Sequence, residues 1–167
     1  MRHLWVALMV ASIIGSTPRQ ARGQNSVLER IDSLAVLVSI RIRPDGLVGG
    51  RDETAWSSRL QTVVELSLRS AGVRAGGNPG EVYPLLFLNG VLLHDGGAFV
   101  HSLELSVRDW GTLPRVPNGE PTPLEIWSRM RAGLTDDAGI TDMLETNTRE
   151  LVETFLNDYL AANPNRR

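Results

Sequence analysis

The chain has 167 residues, with 17 basic and 19 acidic side chains, a formal net charge of −2 and no cysteine. The missing thiols exclude a disulfide framework, a thiolate metal site, a cysteine nucleophile and lipid attachment through cysteine. The acidic balance makes nucleic acid or an anionic membrane surface a poor partner.

The first residues read MRHLWVALMVASIIGSTPRQARGQ. Arg2 precedes an uncharged, largely apolar run from Leu4 to Gly15, and Ala21-Arg22-Gly23 sets small residues three and one before a cut. This pattern predicts a secretory signal over residues 1–23, cleaved between Gly23 and Gln24. The apolar run is shorter than the about 20 residues that span a bilayer as a helix. Cleavage would remove Arg2, Arg19 and Arg22, leaving 14 arginines against 19 acids. The expected product is one domain, residues 24–167, in the periplasm or secreted, without a lipid anchor or membrane span. No residue is lysine.

Residues 34–42, LAVLVSIRI, carry apolar side chains at every even position, which predicts a strand with one buried face. Pro44-Asp45-Gly46 ends it as a turn. In residues 52–72, Trp56, Leu60, Val63, Val64, Ser67, Leu68 and Ala71 recur at helical spacing. Asp52 or Thr54 suits the start of this helix, and Gly72 its left-handed end. Residues 75–81 read as a loop. The next segment, residues 82–93, is apolar on both faces, as in a central strand.

Residues 99–108 alternate cleanly, with Phe99, His101, Leu103, Leu105 and Val107 on one face. Between these two strands, Asp95-Gly96 or Gly96-Gly97 suits a two-residue hairpin loop. An even loop keeps Leu86, Leu88, Gly90 and Leu92 on the Phe99–Val107 face. The linker at residues 111–123 is rich in proline and irregular. Residues 125–134, EIWSRMRAGL, predict a fourth strand by alternation. A last helix over residues 138–162 carries Ile140, Leu144, Leu151, Val152, Phe155, Leu156, Tyr159 and Leu160 on one stripe. Asp136 and Asp137 suit its start. The order β-α-β-β-β-α predicts an α/β fold of the α+β type: a two-layer sandwich, one four-stranded mixed sheet with two helices on one face.

His94, Asp95 and His101 cluster at the hairpin. Depending on the loop, the two histidines stand about 13 Å or about 7 Å apart along the strands. A zinc site needs a third protein ligand, and these strands supply none on the same face. The histidines therefore read as structural, with His101 tucked over Gly90 or nearby. No G-x-S-x-G, H-E-x-x-H, P-loop or dinucleotide glycine pattern is present, and no cofactor is implied.

The sheet face away from the helices is the expected interaction surface. Phe87, Val91, Leu93, Trp127, Arg129, Arg131 and Arg41 are its candidate partner-binding residues, because aromatics and arginine mark interfaces. The expected function is an exported, non-enzymatic binding or assembly module of the cell envelope. It would use that face or an edge strand, with an envelope protein or a second copy as partner. The alternative is a small metal-dependent hydrolase using His94, Asp95 and His101.

The pieces IDSLAVLVSIRI, VVELSLRSAGV and LVETFLNDYLAANP resemble a group of uncharacterised exported bacterial proteins. That resemblance spans residues 31–164 and implies an exported α/β domain, with no site residues. The element order is similar to small α/β domains of periplasmic accessory proteins, such as the TolB N-terminal domain and the curli-secretion lipoprotein. The absent lipid-accepting cysteine departs from the lipoprotein members.

Overall fold

The computed structural model describes residues 27–29, 31–43, 53–77, 84–112 and 121–166. The leader with its Gly23–Gln24 cut, the Pro44-Asp45-Gly46 turn, the Asp52 cap and most of the proline-rich linker lie outside these residues.

Strand β1, Ser33–Arg43, buries its even positions from Leu34 to Ile42. Helix α1, Glu53–Ser70, turns Leu60, Val64 and Leu68 onto that face. Gly72 ends it at φ 78°. There the Val73 N–H donates to Leu68 C=O at 2.9 Å and the Gly72 N–H to Arg69 C=O at 3.0 Å. This is a Schellman ending, in which the left-handed glycine lets two otherwise orphaned carbonyls find donors. The buried Val73 follows, and the chain enters the two-residue strand β2, Arg74–Ala75.

Three long strands come next: β3, Leu85–Asp95; β4, Ala98–Gly111; and β5, Thr122–Asp136. Gly96 and Gly97 form the β3–β4 loop with φ 57° and 90°. Positive φ at both central residues is the type I′ geometry, whose twist matches that of the flanking strands. It fixes the register at Asp95↔Ala98, and the predicted faces of β3 and β4 follow from it. Helix α2, Ile140–Ala162, closes the fold and leads into a short 3-10 turn, Pro164–Arg166.

The sheet order is β2-β1-β3-β4-β5. Strand β1 runs parallel to β2 and β3, and the β3–β4 and β4–β5 pairs are antiparallel. Both helices pack on one face, and their buried side chains join the even positions of β1 and β3 and the odd positions of β4 in one core. The α+β class stands, with five strands in place of four. Two residues are too few to carry a period, so β2 reads in the sequence as part of a loop.

The end of α2 fastens the segment that precedes β1. The Tyr159 hydroxyl donates to Ile31 C=O at 2.9 Å, and Asn163 Nδ2 donates to Leu28 C=O at 3.0 Å. Leu28 and Ile31 are buried in the core beside them. Tyr159 and Asn163 thus tie the segment before β1 to the end of the last helix.

Candidate interaction surface

The helix-free face is laid out by cross-strand register. Leu37 pairs with Phe87, which pairs with Ser106. Arg41 pairs with Val91, and Val91 with Ser102. Nearest the hairpin, Arg43 pairs with Leu93, Leu93 with Val100, and Val100 with Leu134. The two ends of this face differ. At one end Ala35, Leu85 and Ser106 are buried, and the Arg108 guanidinium lies 4.7 Å over the Phe87 ring. At the other, Leu93 is 49 % exposed, Val100 50 % and Leu134 70 %, while Met130, 65 % exposed, stands midway along β5 opposite Glu104. A contiguous apolar corner of this kind is uncommon on a solvated surface.

Arg41, Phe87, Val91 and Leu93 lie on the open face as expected. Trp127, Arg129 and Arg131 do not, and their expected placement is corrected. They pair with Val107, Leu105 and Leu103, all buried on the helix face. Trp127 is 1 % exposed, edge-on to Phe155 with centroids 5.2 Å apart, and its indole N–H donates to Asp158 at 2.9 Å. Arg129 lies 3.4 Å from the same carboxylate, and Arg131 pairs with Glu150 at 2.8 Å. The arginine stems cover the core while their heads meet acids of α2. The residues that reach the open side from β5 are Ser128, Met130, Ala132 and Leu134, which the sequence pattern alone sets on the other face.

β5 also presents a free rim. The Asp137 N–H donates to Gly97 C=O at 3.2 Å, which marks Gly97 and Asp137 as a hydrogen-bonded pair. Such pairs alternate along an antiparallel ladder, so odd positions 127–135 bond inward to β4. The N–H and C=O groups of Met130, Ala132 and Leu134 therefore point away from the sheet. No described strand lies beyond them. The opposite rim is occupied at four positions of β1. There the Ile40 N–H donates to Ser57 Oγ at 3.1 Å and the Ile42 N–H to Glu53 Oε1 at 2.6 Å, both from α1, while β2 covers Ser33 and Leu34.

The histidines occupy separate places. His94 pairs with Phe99 at the hairpin, with ring centroids 4.7 Å apart, and its Nε2 lies 3.1 Å from Asp137 Oδ1. His101 is buried two positions along the ladder, opposite Leu92 and Gly133. Its ring covers the backbone of Gly133, where a Cβ would stand 2.8 Å from Cε1, and not Gly90, which faces Ile40 and Leu103. Asn147 Nδ2 donates to His101 Nε2 at 3.0 Å, which leaves the proton on Nδ1, a buried donor without a partner among the described residues. Burial holds the His101 imidazole below its ordinary pKa and the Tyr159 phenol above its own. Among the described residues no three His, Asp or Glu side chains are grouped to hold a metal ion, and none of their helices is long and apolar enough to cross a membrane.

Fold and surface together define a two-layer α+β domain with one sheet face and one sheet rim left open among the described residues. No family model and no curated protein matches its sequence. Among solved structures it is similar to a PelC dodecamer from Paraburkholderia phytofirmans, at 18 % identity over 77 % of this chain and 86 % of that one, with a TM-score of 0.41. A minor lipoprotein from Acinetobacter baumannii matches at 12 % identity over 78 % and 92 %, with a TM-score of 0.39. A putative neuraminyllactose-binding hemagglutinin homologue from Helicobacter pylori matches at 11 % identity over 76 % and 82 %, with a TM-score of 0.42. At these scores the likeness carries neither function nor partner to this chain.

Proposed function

We propose that this protein is an exported, non-enzymatic binding or assembly module of the cell envelope, working through the helix-free face of its sheet or through the β5 edge. The observation that carries the reading is the apolar corner formed by Leu93, Val100 and Leu134, with Met130 midway along β5, beside an unpaired strand edge. Exposed apolar side chains next to unsatisfied backbone groups favour association over solvation. Export rests on the leader sequence, and the likeness to uncharacterised exported proteins and TolB-type accessory domains belongs to the same proposal. Arg41, Phe87, Val91 and Leu93 extend the surface across β1 and β3.

The test has two arms. The chain is expressed with its own leader in an exporting host, fractionated, and its mass measured. An exported product beginning at Gln24 supports the reading, and a full-length cytoplasmic product counts against it. In the second arm, light scattering and native mass spectrometry follow association with and without Leu93→Ser and Val100→Ser. Association that weakens in the variants supports the surface. A protein that stays monomeric and retains no envelope component, or one whose association ignores both substitutions and any change at β5, refutes it.

A further inference from the structure

The geometry points to one occupant for the β5 rim: β5 of a second copy, paired antiparallel about a dyad at Ala132, so that two sheets join into one. This inference rests on the binding-module reading and names the partner and the register.

The sequence of the strand is self-complementary about Ala132. With Ala132 opposite its own copy, Met130 stands against Leu134 of the partner subunit, and Leu134 against Met130 of the partner subunit. Both residues are exposed on the open face, so each pairing covers two apolar side chains. On the helix face, Arg131 meets Gly133 of the partner subunit, which has no side chain, and Arg129 meets Thr135 of the partner subunit. No like charges are opposed. Neighbouring registers lack these matches. A dyad at Arg131 sets guanidinium against guanidinium, one at Met130 sets Arg129 against Arg131, and one at Gly133 sets Met130 against Asp136. Like charges directly across a ladder destabilise it.

The backbone fits the same register. Met130, Ala132 and Leu134 turn their N–H and C=O groups outward, and these even positions exchange both hydrogen bonds in an antiparallel pair centred on Ala132. Charged side chains commonly guard such edges. Here Asp158 and Glu150 of α2 draw Arg129 and Arg131 back toward the helix layer. The row Leu93–Val100–Leu134 then runs on across the dyad into Met130 of the partner subunit. Such a contact is isologous, the same patch serving both copies.

The chain has no cysteine, so a single introduced thiol reports on its own neighbourhood. The exported protein carrying Ala132→Cys is expected to form a covalent dimer under mild oxidation or with a short bismaleimide, because paired Cα atoms there stand about 5.5 Å apart. Val100→Cys is the control. It stands three strand spacings from its own copy across the joined sheet, about 14 Å, and four residues along it, about 13 Å, so about 19 Å in all, and it should stay uncoupled. Met130→Lys with Leu134→Lys opposes like charges at both matched positions and should weaken dimerisation on the order of tenfold or more. Met130→Glu with Leu134→Lys opposes unlike charges at the same positions and should restore it. Circular dichroism checks that each variant folds.

Cross-linking through Val100→Cys but not Ala132→Cys would show the open faces meeting, and would overturn the edge pairing while keeping the binding module. Equal dimerisation of the two charge variants overturns the edge pairing in the same way. An exported protein that is monomeric at high concentration overturns the edge pairing, and loses the module as well only if it also retains no envelope component.

Discussion

Trp127 separates a docking residue from a core residue most sharply. Its side chain is enclosed between β5 and α2, edge-on to Phe155, with the indole N–H on Asp158. Trp127→Ala removes the largest fully buried side chain and opens a cavity that the sheet and helix can only partly close. Truncations of this kind cost about 3–5 kcal/mol, out of a total of about 5–15 kcal/mol for a domain. The midpoint of thermal unfolding should fall by about 6–20 °C at about 2–4 °C per kcal/mol. Trp127→Phe keeps most of the ring and loses the donor. Because Asp158 retains Arg129 and is part-exposed, the cost should be about 1 kcal/mol. The assay is urea unfolding followed by far-ultraviolet circular dichroism, since other tryptophans complicate fluorescence. If Trp127→Ala unfolds within about 1 kcal/mol of the parent while its self-association changes, the placement of Trp127 in the core is wrong and the register of β5 with it.

Three further outcomes follow from the same packing. Tyr159→Phe removes the hydroxyl that donates to Ile31 C=O, which should cost about 1–2 kcal/mol in thermal unfolding. His101, neutral in the fold because burial lowers its pKa below 6.5, ties stability to pH. The unfolded chain binds the proton more readily, so this contribution is full above about pH 6.5 and is lost as pH falls through the lower folded value. His101→Gln should flatten the stability curve between about pH 7 and 5, and an unchanged slope rejects the assignment. Gly133→Ala pushes a methyl group toward the His101 ring and should cost about 1–3 kcal/mol. Combining it with His101→Ala should cost less than the two separately, read from a double-mutant cycle of urea midpoints.

Parity explains what the sequence disclosed and what it withheld. The Gly96-Gly97 loop has two residues and both strands alternate, so β3 transmits its faces to β4, and Leu88 shares a face with Leu105 as expected. α1 and α2 announce themselves through long 3.6-residue stripes, and the Gly72 ending through one glycine. Between β4 and β5 the proline-rich linker sequence carries no alternation from which to read a register, and a β-bulge at Val107/Arg108 shifts the ladder again. Either face of β5 could then be inward. Ile126, Met130 and Leu134 look like the core side, whereas Trp127 with two arginines holds that position. The missed signal lay in α2: Glu150 and Asp158, one on each side of the Leu151–Phe155 stripe, are acids placed to receive arginines from the sheet. The exposure of Met130 and Leu134 on the open face was missed for the same reason. The expected place of His101 over Gly90 or nearby gives way to Gly133, because the Gly96-Gly97 loop sets Leu92, not Gly90, opposite His101 on β3 and β5 sets Gly133 opposite it on the other side.

The side chains of Ser57 and Glu53 on the rim of β1 decide what kind of aggregate this fold permits. A sheet open at both rims is a monomer unit for fibre growth, each arrival leaving a fresh end for the next. With one rim stoppered by its own helix, any strand that docks on the other finds no second place to continue from. A dimer joined through β5 would therefore end accretion at a single step, without the hazard of an endless ribbon.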